Sequence, residues 1–157
     1  MAQTYKLTSG RRLANSILTT LLHLGVKLPG TYLLSIPGRK SGKIHTIPVR
    51  LIQKDGQRWL VAPYGQVNWV LNARAAGQVT LSPGRTPETV TIVELDPNES
   101  APVLKEYLKQ VPTVKPYFDV TPESPLDAFE AEAPRHPVFR IVSSTPINLN
   151  SSHPHEM

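Results

Sequence analysis

Two apolar runs and the cationic loop between them decide the fold, and together they read Tyr32-Leu33-Leu34-Ser35-Ile36-Pro37-Gly38-Arg39-Lys40-Ser41-Gly42-Lys43-Ile44-His45-Thr46-Ile47-Pro48. The runs at residues 32–36 and 47–52 are rich in aliphatic and β-branched side chains, which is typical of strands. Gly38 and Gly42 bracket the segment between them, so we expect a tight connection rather than a linker. The stretch therefore predicts two neighbouring strands joined by a short loop.

The loop concentrates groups that bind anions. Glycine lets the backbone approach a ligand closely, and successive N–H groups in a turn form a concavity that favours anions. Arg39 offers a planar fork of donors suited to phosphate or carboxylate. Lys40 and Lys43 add point charges, and Ser41 adds a neutral donor. A plain soluble turn is the alternative interpretation, but like charges this close together favour a bound counter-anion.

Outward from this stretch, further strands are predicted at residues 58–62, 79–82, 88–95 and 138–142. Asp55-Gly56 is a two-residue hairpin signal between the second and third strands. Parallel neighbours need a much longer crossover, so the signal argues against a doubly wound parallel sheet. The pattern predicts a mainly β fold with helices (α+β), in which an antiparallel sheet curls into a small barrel.

Helices are predicted at the start, in the middle and late in the chain. Residues 11–27 repeat apolar side chains every three or four positions, which is the period of an amphipathic helix. A short helix is expected from Asn68. For the late helix, either Asp96 caps an irregular first turn or Ser100 is the true cap.

The length and composition fit one domain without disulfides. A chain of 157 residues needs only one core. We predict a flexible N-terminus at residues 1–10, a single barrel domain at 11–142 and a disordered tail at 143–157. The absence of cysteine excludes disulfides, thiolate metal sites and cysteine nucleophiles, and it fits a cytoplasmic protein. The net charge of +5 favours an anionic partner.

The helix predicted at residues 11–27 bears on the location of the protein. No run reaches the roughly 20 apolar residues that span a bilayer. Arg11 and Arg12 stand at the start of this helix, so it either covers the core or makes peripheral contact with an anionic membrane surface. We expect a cytoplasmic protein, with membrane association as the alternative.

Several kinds of chemistry are disfavoured. The histidines are dispersed, so we predict no metal site. Ser41 lacks the Gly-x-Ser-x-Gly elbow of serine hydrolases. The acidic stretch at residues 119–132 is expected to be a solvated loop rather than a pair of catalytic carboxylates. Aromatic residues make up 6% of the chain and none interleaves with the basic residues from 39 to 50, which argues against nucleic acid.

A second segment, residues 62–72, favours a cofactor site. Ala62-Pro63 ends a strand, a glycine turn follows, and Asn68 and Trp69 open a helix. Such a segment supplies backbone donors, a flat apolar wall and a helix N-terminus. Alternatively, Trp69 belongs to the core and Asn68 is only a helix cap. The position of the segment, one hairpin away from the cationic loop, favours a cofactor that carries a phosphate.

A longer pattern joins the two segments, and it reads Gly38-Arg39-Lys40-Ser41-Gly42-Lys43-x-x-Thr46-x-Pro48-Val49, then Asp55-Gly56, Val61-Ala62, Gly65 and Trp69-x-x-Asn72-x-x-Ala75. This pattern resembles the deazaflavin-dependent nitroreductase family, over roughly residues 11–142. The resemblance implies a split antiparallel β-barrel of the flavin-reductase type, with N-terminal and late flanking helices. It also implies an oxidoreductase that transfers hydride from reduced coenzyme F420 to a small organic acceptor, such as a quinone, an enone or a nitro compound.

The resemblance implies roles for individual residues. The coenzyme phosphate is expected at Arg39, Lys40, Ser41, Lys43 and His45. The deazaflavin ring is expected against Thr46, Ile47, Pro48, Ala62, Pro63, Tyr64 and Gly65, with Asn68, Trp69 and Asn72 supporting the loop. Many family members have arginine where this chain has His45, which predicts weaker or pH-dependent phosphate binding. Tyr117 is expected to be a proton donor or a substrate-pocket residue, with a core or surface position as the alternative.

Two other functions remain open at this point. The same barrel could bind FMN, which also presents a phosphate and a tricyclic ring. It could instead be a non-catalytic protein that sequesters the coenzyme or an apolar ligand. Because the hydride chemistry belongs to the coenzyme, the lack of an acid–base constellation does not decide between these functions. Either a monomer or a homodimer is expected.

Overall fold

The structure, a computed structural model, describes residues 30–82 and 86–143. The helix and the flexible N-terminus predicted at residues 1–27 lie outside the described residues, as does the predicted tail beyond residue 143. The strands are β1 (Thr31–Pro37), β2 (Ile44–Lys54), β3 (Gln57–Val61), β4 (Gln78–Ser82), β5 (Glu88–Glu94) and β6 (Val138–Ser143). The helices are α1 (Asn68–Ala76), α2 (Pro97–Gln110) and α3 (Leu126–Glu132), with short 3-10 helices at Pro112–Tyr117 and Ala133–Arg135.

The strands form a closed antiparallel barrel in the order β1-β2-β3-β6-β5-β4. The last strand of the chain, β6, lies between β3 and β5, where Leu60 pairs with Phe139 and Ile92 pairs with Ile141. On the other side, β1 pairs with both β2 and β4. The predicted mainly β barrel with helices is confirmed.

The connection between β2 and β3 is the two-residue turn that Asp55-Gly56 predicted. Both residues have positive φ, 52° at Asp55 and 76° at Gly56. This backbone matches the twist of two antiparallel strands. It sets the register so that Lys54 faces Gln57.

Two apolar cores lie on the two faces of the barrel wall. The barrel interior is filled from every strand and from α1, by residues that include Leu34, Ile36, Leu51, Leu60, Val70, Leu81, Val90 and Phe139. The second core lies between the outer face of the wall and helices α2 and α3, and includes Ile52, Val61, Leu104, Leu108, Phe129 and Val138. Neighbouring residues of a strand point to opposite faces, so Leu51 faces the interior core and Ile52 faces the helices.

The start of helix α2 decides between the two caps predicted, Asp96 and Ser100. The Asp96 side chain accepts a hydrogen bond from the Glu99 N–H at 2.7 Å, and Pro97 follows as the first helical residue. Asp96 is therefore the cap, and Ser100 is buried inside the helix. None of the helices within residues 30–82 and 86–143 has the length and hydropathy needed to cross a bilayer.

Candidate cofactor site

The cationic loop between β1 and β2 is a closed turn. The Gly38 N–H donates to the Lys43 carbonyl at 2.8 Å, and the Gly42 N–H donates to the Gly38 carbonyl at 2.9 Å. Gly42 has a φ of 72°, in the left-handed region that glycine adopts without strain. Between these bonds, the side chains of Arg39 and Lys40 are exposed to solvent. The turn therefore holds its charges at the end of the β1–β2 hairpin.

Asn72 of α1 fastens this loop to the second predicted segment. Its Oδ1 accepts one hydrogen bond from the Arg39 N–H at 3.1 Å and another from Arg39 Nη1 at 2.8 Å. Asn72 is only 6% exposed, so a buried acceptor fixes an exposed cation. The guanidinium has further N–H groups beyond the one used here. The loop and residues 62–72 are thus brought together through one amide.

Ser41 and His45 flank the backbone of Gly38. A Cβ atom at Gly38 would lie 3.0 Å from both Ser41 Oγ and His45 Nε2. The Ser41 hydroxyl also accepts from the Lys43 N–H at 3.2 Å. Because glycine has no side chain, the hydroxyl, the imidazole and the backbone amides of the turn lie close together. The N–H groups of residues 38, 39, 42 and 43 already donate within the protein, so the exposed side chains of the turn are the groups available to an anion.

The loop cations differ in their partners from three arginines elsewhere in the barrel domain. Arg58 pairs with Glu88, Arg74 with Glu94, and Arg135 with Asp119. In the part of the chain that the structure describes, no ion pair joins a carboxylate to Arg39, Lys40 or Lys43. The positive charge of the loop is therefore not neutralised by carboxylates of this part of the chain.

The start of β2 carries the next predicted group, Thr46, Ile47 and Pro48. Ser35 Oγ and Thr46 Oγ1 lie 2.9 Å apart and form a cross-strand hydrogen bond. Ile47 packs against the barrel core and is partly buried, as is Pro48. These residues form a half-buried surface that adjoins the cationic loop.

Residues 62–65, predicted to line a ring, form a tight turn after β3. The Gly65 N–H faces the Ala62 carbonyl at 3.5 Å, and the Val67 N–H donates to the Gly65 carbonyl at 2.9 Å. Gly65 has a φ of 88°, which explains why glycine stands there. The Pro63 carbonyl faces His136 Nδ1 at 2.9 Å. Because a carbonyl oxygen only accepts, Nδ1 carries the proton of this contact.

His136 belongs to a buried network that the sequence analysis missed. Its Nε2 lies 2.8 Å from Glu132 Oε1, and its ring stacks on Phe118 with centroids 3.7 Å apart. Glu132 also accepts from the Asp119 N–H and pairs with Arg135. Burial lowers the pKa of His136, while the hydrogen bond to Glu132 opposes that shift.

The acidic side chains before Glu132 are exposed, as expected of a solvated segment at residues 119–132. The expectation is wrong at the end of the stretch, where residues 126–132 form α3 and Glu132 is only 2% exposed. The one local signal was the spacing of four residues between Glu132 and His136, which places two side chains on one helical face. Their partners Pro63 and Phe118 are distant in sequence. The dispersed histidines therefore gave no indication that one of them meets the ring-lining turn.

Asn68 and Trp69 follow the turn at residues 62–65 and belong to the start of α1. The N-cap of α1 is Val67, without a side-chain cap, so the interpretation of Asn68 as a helix cap is wrong. Asn68 is the first residue of the helix and is exposed. Trp69 is partly buried against the barrel core, and its ring centroid lies 6.1 Å from that of Phe139. Trp69 thus supports the barrel interior beside the turn.

Tyr117 lies against the turn at residues 62–65. Its ring meets that of Tyr64 edge to face, with centroids 4.9 Å apart. Tyr117 ends the 3-10 helix Pro112–Tyr117 and is partly buried. The structure therefore brings the predicted substrate-pocket tyrosine to the predicted ring site. Within residues 30–82 and 86–143, no three His, Asp or Glu side chains are grouped so that they could hold a metal ion.

Comparison with known proteins gives both a family and a set of fold neighbours. Residues 10–123 match the model of the family described as F420H(2)-dependent quinone reductase. A solved structure of an F420-H2 dependent reductase, FDR-A, is 22% identical with a TM-score of 0.51, and the match covers 74% of this chain and 98% of that one. A second, described as a domain-swapped dimer, is 20% identical with a TM-score of 0.53, covering 85% of this chain and 100% of that one. At these identities the two structures show a common fold. Among curated proteins, no sequence matches this chain.

Proposed function

Because the chain belongs to the F420H2-dependent quinone reductase family, we propose that it transfers hydride from reduced coenzyme F420 to a quinone or a similar small organic acceptor. Membership of this family confirms the resemblance drawn from the sequence motif and makes the chain an F420H2-dependent reductase. The observation that carries the proposal at the level of residues is the double hydrogen bond from Arg39 to Asn72. It joins the anion-binding loop to the segment proposed to carry the ring.

The cationic loop fits the phosphate of the coenzyme. Its cations have no carboxylate partners among the residues described, and Gly38 leaves the donors of Ser41 and His45 close together. In this proposal the phosphate is held by Arg39, Lys40, Ser41, Lys43 and His45. Arginine supplies paired donors and lysine supplies point charge.

The half-buried surface beside this loop fits a flat ring. Residues 46–48 and 62–65 line it in the proposal, while Asn68, Trp69 and Asn72 support the turn and the loop. When bound, reduced F420 supplies the hydride. The protein binds and orients the ring, and the rings of Tyr64 and Tyr117, which meet edge to face, lie beside the turn proposed to carry it. The Tyr117 hydroxyl is the proposed proton donor to the reduced acceptor.

Binding of the coenzyme tests the proposal most directly. A fluorescence titration of the full chain with F420 is expected to saturate well below millimolar concentration. The variant Arg39→Ala is expected to weaken binding by about 1.5 to 3 kcal/mol, the usual contribution of a charged hydrogen bond. Arg58→Ala is the matched control, since it removes the same charge from an arginine paired with Glu88 on β5. Absence of saturable binding would falsify the proposal.

The same assay separates FMN from F420. Under the proposal, FMN does not displace F420 at comparable concentration, and F420H2 is oxidised when a quinone is added. Displacement by FMN with an affinity higher than that of F420 would assign the barrel to FMN. Saturable F420 binding without oxidation by quinones, enones or nitro compounds would indicate a protein that sequesters the coenzyme.

Two features outside the site remain proposals. We propose a monomer or a homodimer; one fold neighbour is described as a domain-swapped dimer, and sedimentation equilibrium would determine the state of this chain. We also propose a cytoplasmic location, with peripheral contact to an anionic membrane through residues 11–27 as the alternative. Sedimentation with anionic liposomes at low salt tests this contact, and protein left wholly in the supernatant would exclude it.

A further inference from the structure

The ring-lining turn is shaped by a segment that lies far away in the sequence. The Ala62 N–H donates to the Pro137 carbonyl at 2.9 Å, and the Pro63 carbonyl accepts from His136 Nδ1 at 2.9 Å. Gln66 Nε2 lies 3.4 Å from the Pro134 carbonyl. Residues 134–137 therefore contact the first two residues of the turn and the residue that follows it.

His136 is held in one orientation at the centre of this contact. The residue is 3% exposed. Nε2 contacts Glu132, Nδ1 contacts Pro63, and one face of the ring stacks on Phe118 at an interplanar angle of 11°. Rotation of the imidazole would break its contacts with Pro63 and Glu132 and the stack on Phe118 at once. A buried side chain fixed on several sides keeps its partner in place at little further loss of entropy.

Glu132 is in turn fixed by its own partners. Its Oε1 accepts from the Asp119 N–H at 3.2 Å, and Oε2 pairs with Arg135. Arg135 also pairs with Asp119 at 2.7 Å. This carboxylate is buried and has donors on both oxygens, so its position is determined by packing and charge together.

We propose that His136, held by Glu132, is a positioning residue that fixes the Pro63 carbonyl and with it the turn on which the coenzyme ring lies. This inference rests on the proposed function, because it assumes that residues 62–65 contact the ring. It assigns His136 to ring binding and not to phosphate binding, which belongs to the loop at residues 38–45. A positioning role differs from a purely structural role because it changes ligand affinity in the folded protein.

The test compares the complete coenzyme with 8-hydroxy-5-deazaflavin riboside, a ring probe that lacks the phosphate tail. His136→Phe keeps an aromatic ring for Phe118 to stack on, and removes the donor to Pro63. It is expected to weaken binding of both probes by the same factor, about five- to tenfold, because the freed turn must be ordered again when the ring binds. Arg39→Ala is the counterpart, and is expected to weaken binding of the coenzyme but not of the riboside. Unchanged affinity of folded His136→Phe for both probes would overturn the inference while leaving the proposed function intact.

A measurement on the ligand-free wild-type protein covers the case in which the variant does not fold. Nitrogen-15 NMR of the imidazole is expected to show a proton on Nδ1 of His136, because the Pro63 carbonyl can only accept. In hydrogen exchange, the Ala62 amide is expected to be as protected as the amides of β6. An unprotonated Nδ1 with rapid exchange at Ala62 would refute the positioning role, whatever the protein binds. Failure of the wild type to bind either probe would instead refute the proposed function.

Discussion

Replacing Asn72 with alanine tests whether the cationic loop must be fixed in order to bind an anion. The substitution removes an acceptor of two hydrogen bonds, one from the Arg39 N–H and one from its guanidinium. A neutral bond of this kind contributes about 0.5 to 1.5 kcal/mol, and one to a charged group about twice as much. Because Arg39 is exposed, water replaces part of what is lost. We expect the free energy of unfolding to fall by about 1 to 2 kcal/mol.

The affinity for the coenzyme should fall even though Asn72→Ala leaves every cation of the loop in place. The freed loop must be ordered again on binding, and we expect the Kd for F420 to rise about tenfold, equivalent to about 1.4 kcal/mol. Fluorescence titration measures the Kd, and urea denaturation measures the stability. Asn72→Asp is the matched variant, because its carboxylate still accepts from Arg39 but adds negative charge beside the phosphate. It should be more stable than Asn72→Ala and yet bind F420 no better.

One result would refute this reasoning. If Asn72→Ala lowers the free energy of unfolding as expected and the Kd for F420 stays within about twofold of the wild type, then the Arg39–Asn72 contact stabilises the fold only. The loop would then bind its anion without help from α1. The link between the two segments, on which the proposed site depends, would have no role in binding.

Three further predictions concern neighbouring residues. His45→Arg adds a full charge and a planar fork of donors to the loop, and is expected to lower the Kd for F420 several-fold, as measured by fluorescence titration. Gly38→Ala places a Cβ atom 3.0 Å from Ser41 Oγ and His45 Nε2. It should therefore raise the Kd for F420, while the unfolding midpoint in urea barely changes. A loss of stability as large as the loss of binding free energy would contradict the steric argument. Arg58 lowers the pKa of Glu88, chiefly through their hydrogen bond. The pair therefore adds stability above the ordinary pKa of 4.5 and loses it as the pH falls through the lowered value. Glu88→Gln should thus lower the unfolding free energy at neutral pH by less than about 1 kcal/mol and have no effect in acid, because both groups are partly exposed.

The elements that could be predicted from the sequence were those determined by residues close together in the chain. Asp55-Gly56 permits positive φ at adjacent positions, so it marked the hairpin without reference to the rest of the chain. For the same reason Asp96 was among the predicted caps, because the capping bond spans only three residues.

The parts that could not be predicted depend on contacts between distant residues. Nothing in the local sequence indicates that His136 reaches Pro63, 73 positions earlier. The acidic stretch that ends at Glu132 has the composition of a surface loop, and only the neighbouring Arg135 and His136 explain why its last carboxylate is buried. The Arg39–Asn72 contact lies between these cases, since both residues were expected near the site but their direct bond was not foreseen.

The position of β6 between β3 and β5 has a consequence for how the protein acquires its site. Residues 134–137 precede β6 and hold the turn after β3 that is proposed to carry the coenzyme ring. The turn therefore has its shape only after nearly the whole barrel sequence has been synthesised. A nascent chain that ends before residue 134 would already contain the complete cationic loop and could attract an anion, but it could not present the ring surface. Acquisition of the coenzyme is therefore expected to follow closure of the barrel, and F420 should slow the opening of β6 more than that of the β1–β2 hairpin.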